Sequence, residues 1–156
     1  MRSAFRVLRG AIAPISVISS TLLGLAACGA PSSSTSSGSL TSFPSAPLQT
    51  VASSTGTLSI EVRTGPEQPP PLGESAAQLT VEDATTHAPV DGLDLTVVPW
   101  MPAMGHGSSV SPTVTAMGGG VYLVTNLYLY MPGTWQLRTT LVGQGTDSVT
   151  PEFTVQ

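Results

Sequence analysis

The chain has 156 residues, of which 40% are hydrophobic and 9% are charged, and it contains one cysteine. This length provides for about one domain of ordinary size, and the net charge of -4 argues against a nucleic-acid ligand, which requires a basic surface. A single cysteine excludes an intramolecular disulfide and any metal site built on a pair of cysteines.

The first predicted element is a secretory signal peptide over residues 1–27. Arg2, Arg6 and Arg9 precede an apolar stretch that ends in small residues, and this order is typical of an export signal. A transmembrane anchor is the alternative interpretation, although the stretch is close to the shortest that spans a bilayer and contains polar residues. Removal of the signal leaves two arginines and nine acidic residues, a net charge of -7.

The signal ends in residues 25–29, LAACG, which resemble the bacterial lipobox. In that motif the signal is cleaved just before the cysteine, and the cysteine is acylated. A free cysteine placed there by chance is the alternative. Because several acyl chains anchor a protein stably, we expect Cys28 to be lipidated and the protein to be held on the bacterial cell envelope, at its periplasmic or extracellular face.

Residues 29–56 are rich in Ser, Thr, Pro and Gly and carry no charge. Such a segment buries too little apolar area to offset its ordering entropy. We therefore predict that the lipidated Cys28 and a flexible tether occupy residues 28–56, and that the folded domain occupies residues 57–156. A flexible coil of about 28 residues spans roughly 25–30 Å, so the domain can reach neighbouring proteins in the membrane.

From residue 57 apolar residues alternate with polar ones, which predicts about seven short strands. The alternating positions are Leu58, Ile60 and Val62; Ala77, Leu79 and Val81; Leu93, Leu95 and Val97; Val110, Val114 and Met117; residues 121–129; Trp135, Leu137, Thr139 and Leu141; and Val149, Phe153 and Val155. This spacing is typical of an all-β, immunoglobulin-like antiparallel sandwich, and Gly120, Val121 and Tyr122 resemble its tyrosine corner.

The residues with the most distinctive chemistry lie in the loop over residues 100–107, WMPAMGHG. Met101, Met104 and His106 bring two thioethers and an imidazole within six residues. Thioethers favour Cu(I), and imidazole suits either copper state. Gly105 and Gly107 leave the backbone free to wrap around an ion. The loop therefore predicts a copper site.

If strand direction alternates along the chain, Met131 lies at the same end of the sandwich as this loop, and we predict it as a fourth ligand. Met117 and His87 then lie at the opposite end and are excluded from the site. The alternative is that the methionines fill irregular gaps in the core and that His106 is solvated or bonded to the backbone. His87 is expected to be an exposed turn residue.

The sequence predicts no enzyme. A hydrolase is the remaining enzymatic interpretation, because Ser108 and Ser109 lie near His106. Residues so close in the chain rarely face each other correctly, however, and no nucleophile elbow surrounds them. The glycines at 118–120 precede a strand rather than a helix, so they do not form a phosphate-binding loop.

Five segments in order resemble the YtkA-like domain, which is related to the FixH-like domains of bacterial envelopes: residues 81–83, VED; 88–93, APVDGL; 99–107, PWMPAMGHG; 120–122, GVY; and 131–137, MPGTWQL. The resemblance covers residues 57–156 and implies an exported immunoglobulin-like sandwich. Such domains occur in lipoproteins, in membrane proteins and fused to metal-efflux adaptors, and FixH-like members are linked to copper supply for cytochrome oxidase. Those members carry a transmembrane helix, whereas a lipobox and tether replace it here.

Two functions are therefore expected. The first is a lipid-anchored copper chaperone or buffer, with the membrane and a membrane or periplasmic protein as its partners. The second is a non-catalytic, non-metal interaction module, in which the loop is a structural turn that packs Trp100 and Trp135 at one end of the sandwich.

Overall fold

The computed structural model describes residues 42–156, which belong to one compact unit. The predicted signal peptide and Cys28 lie outside the described residues. Within this part, no helix is long and apolar enough to cross a membrane. The strands are β1 (Gln49–Ala52), β2 (Leu58–Gly65), β3 (Gly73–Asp83), β4 (Asp94–Met101), β5 (His106–Gly107), β6 (Thr113–Gly118), β7 (Val121–Leu129), β8 (Gly133–Val142), β9 (Thr146–Val149) and β10 (Glu152–Val155).

These strands form two antiparallel sheets. The first sheet has the order β1-β2-β3-β7-β6, and the second has the order β10-β8-β4-β5, with β9 also paired to β8. The predicted all-β antiparallel sandwich is confirmed, but the described residues form ten strands rather than about seven. β1 and the two-residue β5 are too short to show an alternating pattern, and Pro151, which has no N–H to donate, lies between β9 and β10.

The folded domain begins earlier than residue 57. Gln49 at the start of β1 lies opposite Val62 of β2, and Leu48 and Val51 pack against the core. The prediction of a tether over residues 28–56 is therefore corrected at its C-terminal end, where the chain forms an edge strand. Two apolar side chains in a Ser- and Thr-rich segment make too weak a pattern to identify that strand from the sequence.

Alternate residues of the two sheets meet in one hydrophobic core. Ile60 and Leu79 contribute from the first sheet, and Trp135 and Leu137 contribute from the second; all four are essentially inaccessible to solvent. Full burial of an aliphatic side chain of this size contributes about 1.5–3 kcal/mol. The period-two pattern in the sequence therefore corresponds to the inward faces of real strands.

Tyr122 connects the two sheets through its hydroxyl group. The hydroxyl donates to the Val90 carbonyl at 3.0 Å and accepts from the Leu93 amide at 3.1 Å. Both partners lie in the connection between β3 and β4. The tyrosine predicted to form a corner is thus bonded to backbone, although its partners are distant in the chain rather than just upstream of the strand.

One side of the sandwich, where the turn between β1 and β2 meets β9, is closed by hydrogen bonds, and we call it the closed side. The Ser54 amide donates to the Ser148 carbonyl at 2.7 Å. The Asp147 carboxylate accepts from the hydroxyls of Ser54 and Thr55, each at 2.6 Å. A single carboxylate therefore ties an N-terminal turn to a strand about 90 residues further along the chain.

Replacing Asp147 with alanine is expected to destabilise the domain and to reduce its sensitivity to acid. Burial raises the pKa of this carboxyl, but hydrogen bonds from the hydroxyls of Ser53, Ser54 and Thr55 and from the Ser148 amide outweigh it, so the pKa lies below its usual value. A depressed pKa contributes stability that is present at neutral pH and is lost as pH falls below about 4. At neutral pH the lost bonds cost about 1 kcal/mol, as for a helix cap.

Thermal unfolding at neutral pH and at about pH 3 measures this effect. The melting temperature of the unmodified chain should fall more between the two conditions than that of Asp147→Ala. Asp94→Ala removes the same charge outside this network and serves as the control. Equal acid sensitivity in the unmodified chain and in Asp147→Ala would contradict the assignment.

Candidate metal centre

A tight turn between β4 and β5 carries three of the four predicted copper ligands, Met101, Met104 and His106. The Met101 carbonyl accepts from the amides of Met104 at 3.1 Å and Gly105 at 3.0 Å. Gly105 has a φ of 68°, a left-handed conformation that glycine adopts without steric cost. Met101 and His106 are then paired across the two strands. The turn therefore brings the ends of the Met101–His106 segment together.

Gly107 keeps β5 close to β4. A β-carbon at this position would lie 2.4 Å from the Pro99 carbonyl oxygen and 3.6 Å from the indole ring of Trp100. Such a contact with backbone cannot be relieved by a side-chain rotation, so a larger residue requires β5 to move away. The glycine that follows His106 therefore permits the close approach of the two backbones.

Met101 is a core residue. Only 5% of it is exposed, and its methyl carbon lies 2.6 Å from the place where a β-carbon on Gly133 would be. Gly133 begins β8, so the β4–β5 turn and the β7–β8 turn meet at this point. Of the four predicted ligands, Met101 is the one that solvent barely reaches.

Met104 and His106 are the accessible members of the predicted ligand set. Met104 is 55% exposed, and His106 is also exposed. His106 Nδ1 lies 3.1 Å from the Gly107 carbonyl oxygen. When Nδ1 carries the proton, it donates to that carbonyl and leaves the Nε2 lone pair free to bind a metal ion. The turn thus offers one thioether and one imidazole to solvent.

Met131 lies in the turn between β7 and β8, at the same end of the sandwich as Met101. It is half-buried and packs against the core, and its carbonyl accepts the indole N–H of Trp135 at 2.8 Å. Because Trp135 is itself buried, this bond fixes the backbone of the turn. The structure therefore brings the turn that carries Met131 to the turn that carries Met104 and His106.

Met117 and His87 are at the other end. Met117 precedes the β6–β7 turn, where the amide of Gly120 donates to Asp91 at 2.9 Å. His87 lies in the β3–β4 connection, with a φ of 56°, and its exposed ring is 3.7 Å from the Glu82 carboxylate. Neither residue is near the turn of Met104.

Residues 42–156 contain no cluster of three or more His, Cys, Asp or Glu side chains that could hold a metal ion. The four predicted copper ligands, three methionines and His106, are not a set of that kind. Ser108 Oγ accepts from the Val110 amide at 3.2 Å, while the imidazole contacts the Gly107 carbonyl. The serine and the histidine of the hydrolase interpretation thus each contact backbone.

The two tryptophans have different environments. Trp135 is 1% exposed and lies in the core. Trp100 is half-buried, and the Arg138 guanidinium lies 4.5 Å from its ring centroid, a cation–π contact worth about 0.5–1 kcal/mol when exposed. Only one of the two indoles is therefore packed inside the sandwich at this end.

Two exposed apolar residues that the sequence pattern does not single out lie at the same end. Leu72 is exposed before β3, and Tyr130 is exposed after β7. Tyr130 stacks on Tyr128 with ring centroids 5.6 Å apart, and a hydrogen bond with Glu74, together with burial, raises the pKa of Tyr128. The alternation of Tyr128, Leu129 and Tyr130 is a signal that could have indicated that the two tyrosines share one face, but it does not show what lies beside them.

Comparison with known proteins gives one family match. The family model described as YtkA-like matches residues 57–140, a segment that contains all four predicted ligands. A crystal structure of a DUF4426 family protein from Pseudomonas aeruginosa PAO1 is similar at 12% sequence identity with a TM-score of 0.46, and the match covers 68% of this chain and 93% of that one. No curated protein sequence matches the chain.

Proposed function

The chain belongs to the YtkA-like family, and we propose that it acts as a lipid-anchored copper-binding protein of the bacterial cell envelope. The observation that carries this proposal is the exposure of a thioether and an imidazole, from Met104 and His106, on one tight turn. Thioether sulfur favours Cu(I), and imidazole nitrogen suits either copper state. The role is that of a chaperone or a buffer.

Met104 and His106 are the primary ligands in this proposal. Met131, half-buried at the same end, is the third donor, and the buried Met101 is the least accessible member of the set. Thioethers need no deprotonation before they bind a metal, in contrast to cysteine. Copper binding by the methionines therefore persists under acidic conditions.

The membrane location rests on Cys28. The N-terminal arginines, the apolar stretch and the LAACG sequence at residues 25–29 support lipidation of this cysteine, which makes the membrane the first partner. A protein held on a membrane exchanges Cu(I) most readily with a neighbouring membrane or periplasmic protein. The exposed apolar side chains of Leu72 and Tyr130 beside the proposed site offer a surface for that contact.

Titration of the full chain with Cu(I), in competition with a chromogenic chelator, tests the proposal. Met104→Leu removes the sulfur while nearly conserving volume, and His106→Ala removes the imidazole. Each change is expected to weaken the affinity for Cu(I) by about tenfold or more, the factor that corresponds to 1.4 kcal/mol.

Met117→Leu is the matched control, because it removes an exposed methionine sulfur at the opposite end of the sandwich. Its affinity should equal that of the unmodified chain. The proposal is overturned by equal affinities in the unmodified chain, Met104→Leu and His106→Ala.

An interaction module without metal is the second candidate. Three of the exposed large hydrophobic residues in the described part of the chain, Leu72, Met104 and Tyr130, lie at this one end, and exposed apolar surface of this kind marks interaction sites. This function predicts that the unmodified chain does not bind Cu(I) in the titration above.

A further inference from the structure

A long stretch of the chain carries no charged side chain. Residues 95–137 contain no Asp, Glu, Lys or Arg, yet they form nearly all of β4, all of β5, β6 and β7, and the first half of β8. The nine acidic residues of the chain all lie outside this stretch, and so do Arg63 and Arg138, the only Lys or Arg residues after residue 41. In a domain with a net charge of -7, the acidic side chains therefore lie before and after this stretch and not within it.

The two sides of the sandwich differ in how they are covered. On the closed side, Gln49 Nε2 of β1 donates to the Glu152 carbonyl of β10 at 2.8 Å. The Asp147 carboxylate accepts hydrogen bonds from the β1–β2 turn on the same side. On the opposite side β6 pairs only with β7 among the strands of the described region, and a cleft of about 330 Å³ separates it from the start of β4. β6 is thus an edge strand on an open side.

β6 lacks the side chains that usually protect an edge. Natural edge strands carry charges, above all lysine, because their free N–H and C=O groups are a template for another strand. β6 has the sequence TVTAMG, and nearly all of its residues are exposed. A bulge between Ala116 and Gly118 leaves residues 113–116 in regular register, so a free and uncharged edge is available there.

Apolar surface continues from this edge onto the outer face of the first sheet. Met117 is 61% exposed, the largest fraction among the exposed large hydrophobic residues of the described region. Together with Phe43, Val121 and Leu123 it lines a shallow groove of about 390 Å³. A strand added at β6 therefore gains apolar contacts as well as backbone hydrogen bonds.

We propose that a second copy of this chain docks on β6, so that two β6 strands pair antiparallel about a two-fold axis and the two first sheets become one ten-stranded sheet. The absence of charged side chains on β6 is what admits this occupant. Two copies with a net charge of -7 repel each other, and they approach best through the region that contains no acidic residue. Asp94 lines the cleft on the inner side of β6, and Asp91, at the end of the strand, is already bonded to Gly119 and Gly120.

A pair related by a two-fold axis does not grow into a longer assembly through this contact, because each copy has one β6 edge and its partner occupies it. Thr113, Thr115 and Met117 lie on the outer side of β6, since Val114 and Ala116 line the cleft toward β4. Pairing brings the corresponding outer side chains of the two copies together across the axis. The proposal does not depend on copper binding, because the metal ligands Met104 and Met131 are outside the paired strand.

Sedimentation of the full chain in a mild detergent tests the proposal. We expect a dimer whose population rises over a hundredfold increase in protein concentration, as mass action requires. Thr115→Lys places a charge on the free edge, as natural edges do, and is expected to weaken dimerisation about tenfold or more. Thr50→Lys adds the same charge to β1 at the other edge of the same sheet and should leave the dimer unchanged.

Disulfide trapping provides a second readout. Opposed residues of antiparallel strands have Cα atoms about 4.5–5.5 Å apart, within the range that a disulfide bridges. At least one of Thr113→Cys, Thr115→Cys and Met117→Cys should therefore form a cross-linked dimer under mild oxidation, while Thr50→Cys should not. A monomer at every concentration, a dimer that Thr115→Lys leaves intact, or cross-linking no greater than in Thr50→Cys overturns the proposal.

Discussion

Truncation of Met101 to alanine is expected to lower the free energy of unfolding by about 2–5 kcal/mol, the range for a buried methionine. Met104→Ala, three residues later, should change it by less than about 0.5 kcal/mol, as for an exposed position. The difference follows from burial, because Met101 is 5% exposed and Met104 is 55% exposed. Chemical denaturation of the two variants measures both values.

The comparison also separates the two interpretations of the loop. If the loop were only a structural turn that packs its methionines into the core, Met104→Ala would cost as much as a core truncation. The structure assigns that cost to Met101, whose methyl group lies against Gly133. Met101→Leu conserves volume and should cost less than about 1.5 kcal/mol, which provides the control. A loss above about 2 kcal/mol in Met104→Ala would be inconsistent with the exposed turn.

Replacing Trp135 with alanine is expected to cost about 3–5 kcal/mol, the range for a buried large aromatic residue. The indole is 1% exposed, and its N–H donates to the Met131 carbonyl at 2.8 Å. The substitution removes both the packing and the bond that fixes the β7–β8 turn. Thermal or denaturant unfolding gives the stability, and the Cu(I) titration shows whether loosening this turn also weakens the proposed site.

Two further variants serve as controls for the loss of stability in Trp135→Ala. Trp135→Phe keeps an aromatic ring without the N–H, so the loss attributable to the hydrogen bond should be about 1 kcal/mol beyond the change in volume. Trp100→Ala should cost clearly less than Trp135→Ala, because Trp100 is half-buried and its main partner is Arg138. Equal losses for the two tryptophans would contradict the placement of Trp135 in the core.

Much of the fold is evident from the sequence, because alternation of apolar and polar residues is a local signal. Ile60 and Val62 in β2, Leu79 and Val81 in β3, and Leu137 in β8 follow this pattern and are buried. The short strands are not evident in the same way. β5 has two residues, and β1 is held by pairing with β2 more than by its own composition.

The candidate site is predictable only in part. The closeness of Met101, Met104 and His106 follows from their spacing, and strand alternation predicts that the Met131 turn lies at the same end. Which methionine is buried does not follow from spacing. It depends on the hydrogen bonds that fold the turn back at Met101 and on Gly133, which leaves room for the methyl group.

The sequence alone determines the all-β class, most of the inward-facing positions and the grouping of methionine and histidine in one loop, because each depends on neighbours within a few residues. Tertiary structure decides which residues close the sandwich and which leave it open. The Asp147 carboxylate bonds to Ser54 and Thr55 across about 90 residues, whereas β6 has a partner on one edge only among the described strands. Contacts between distant residues depend on how the two sheets pack, which no local pattern encodes.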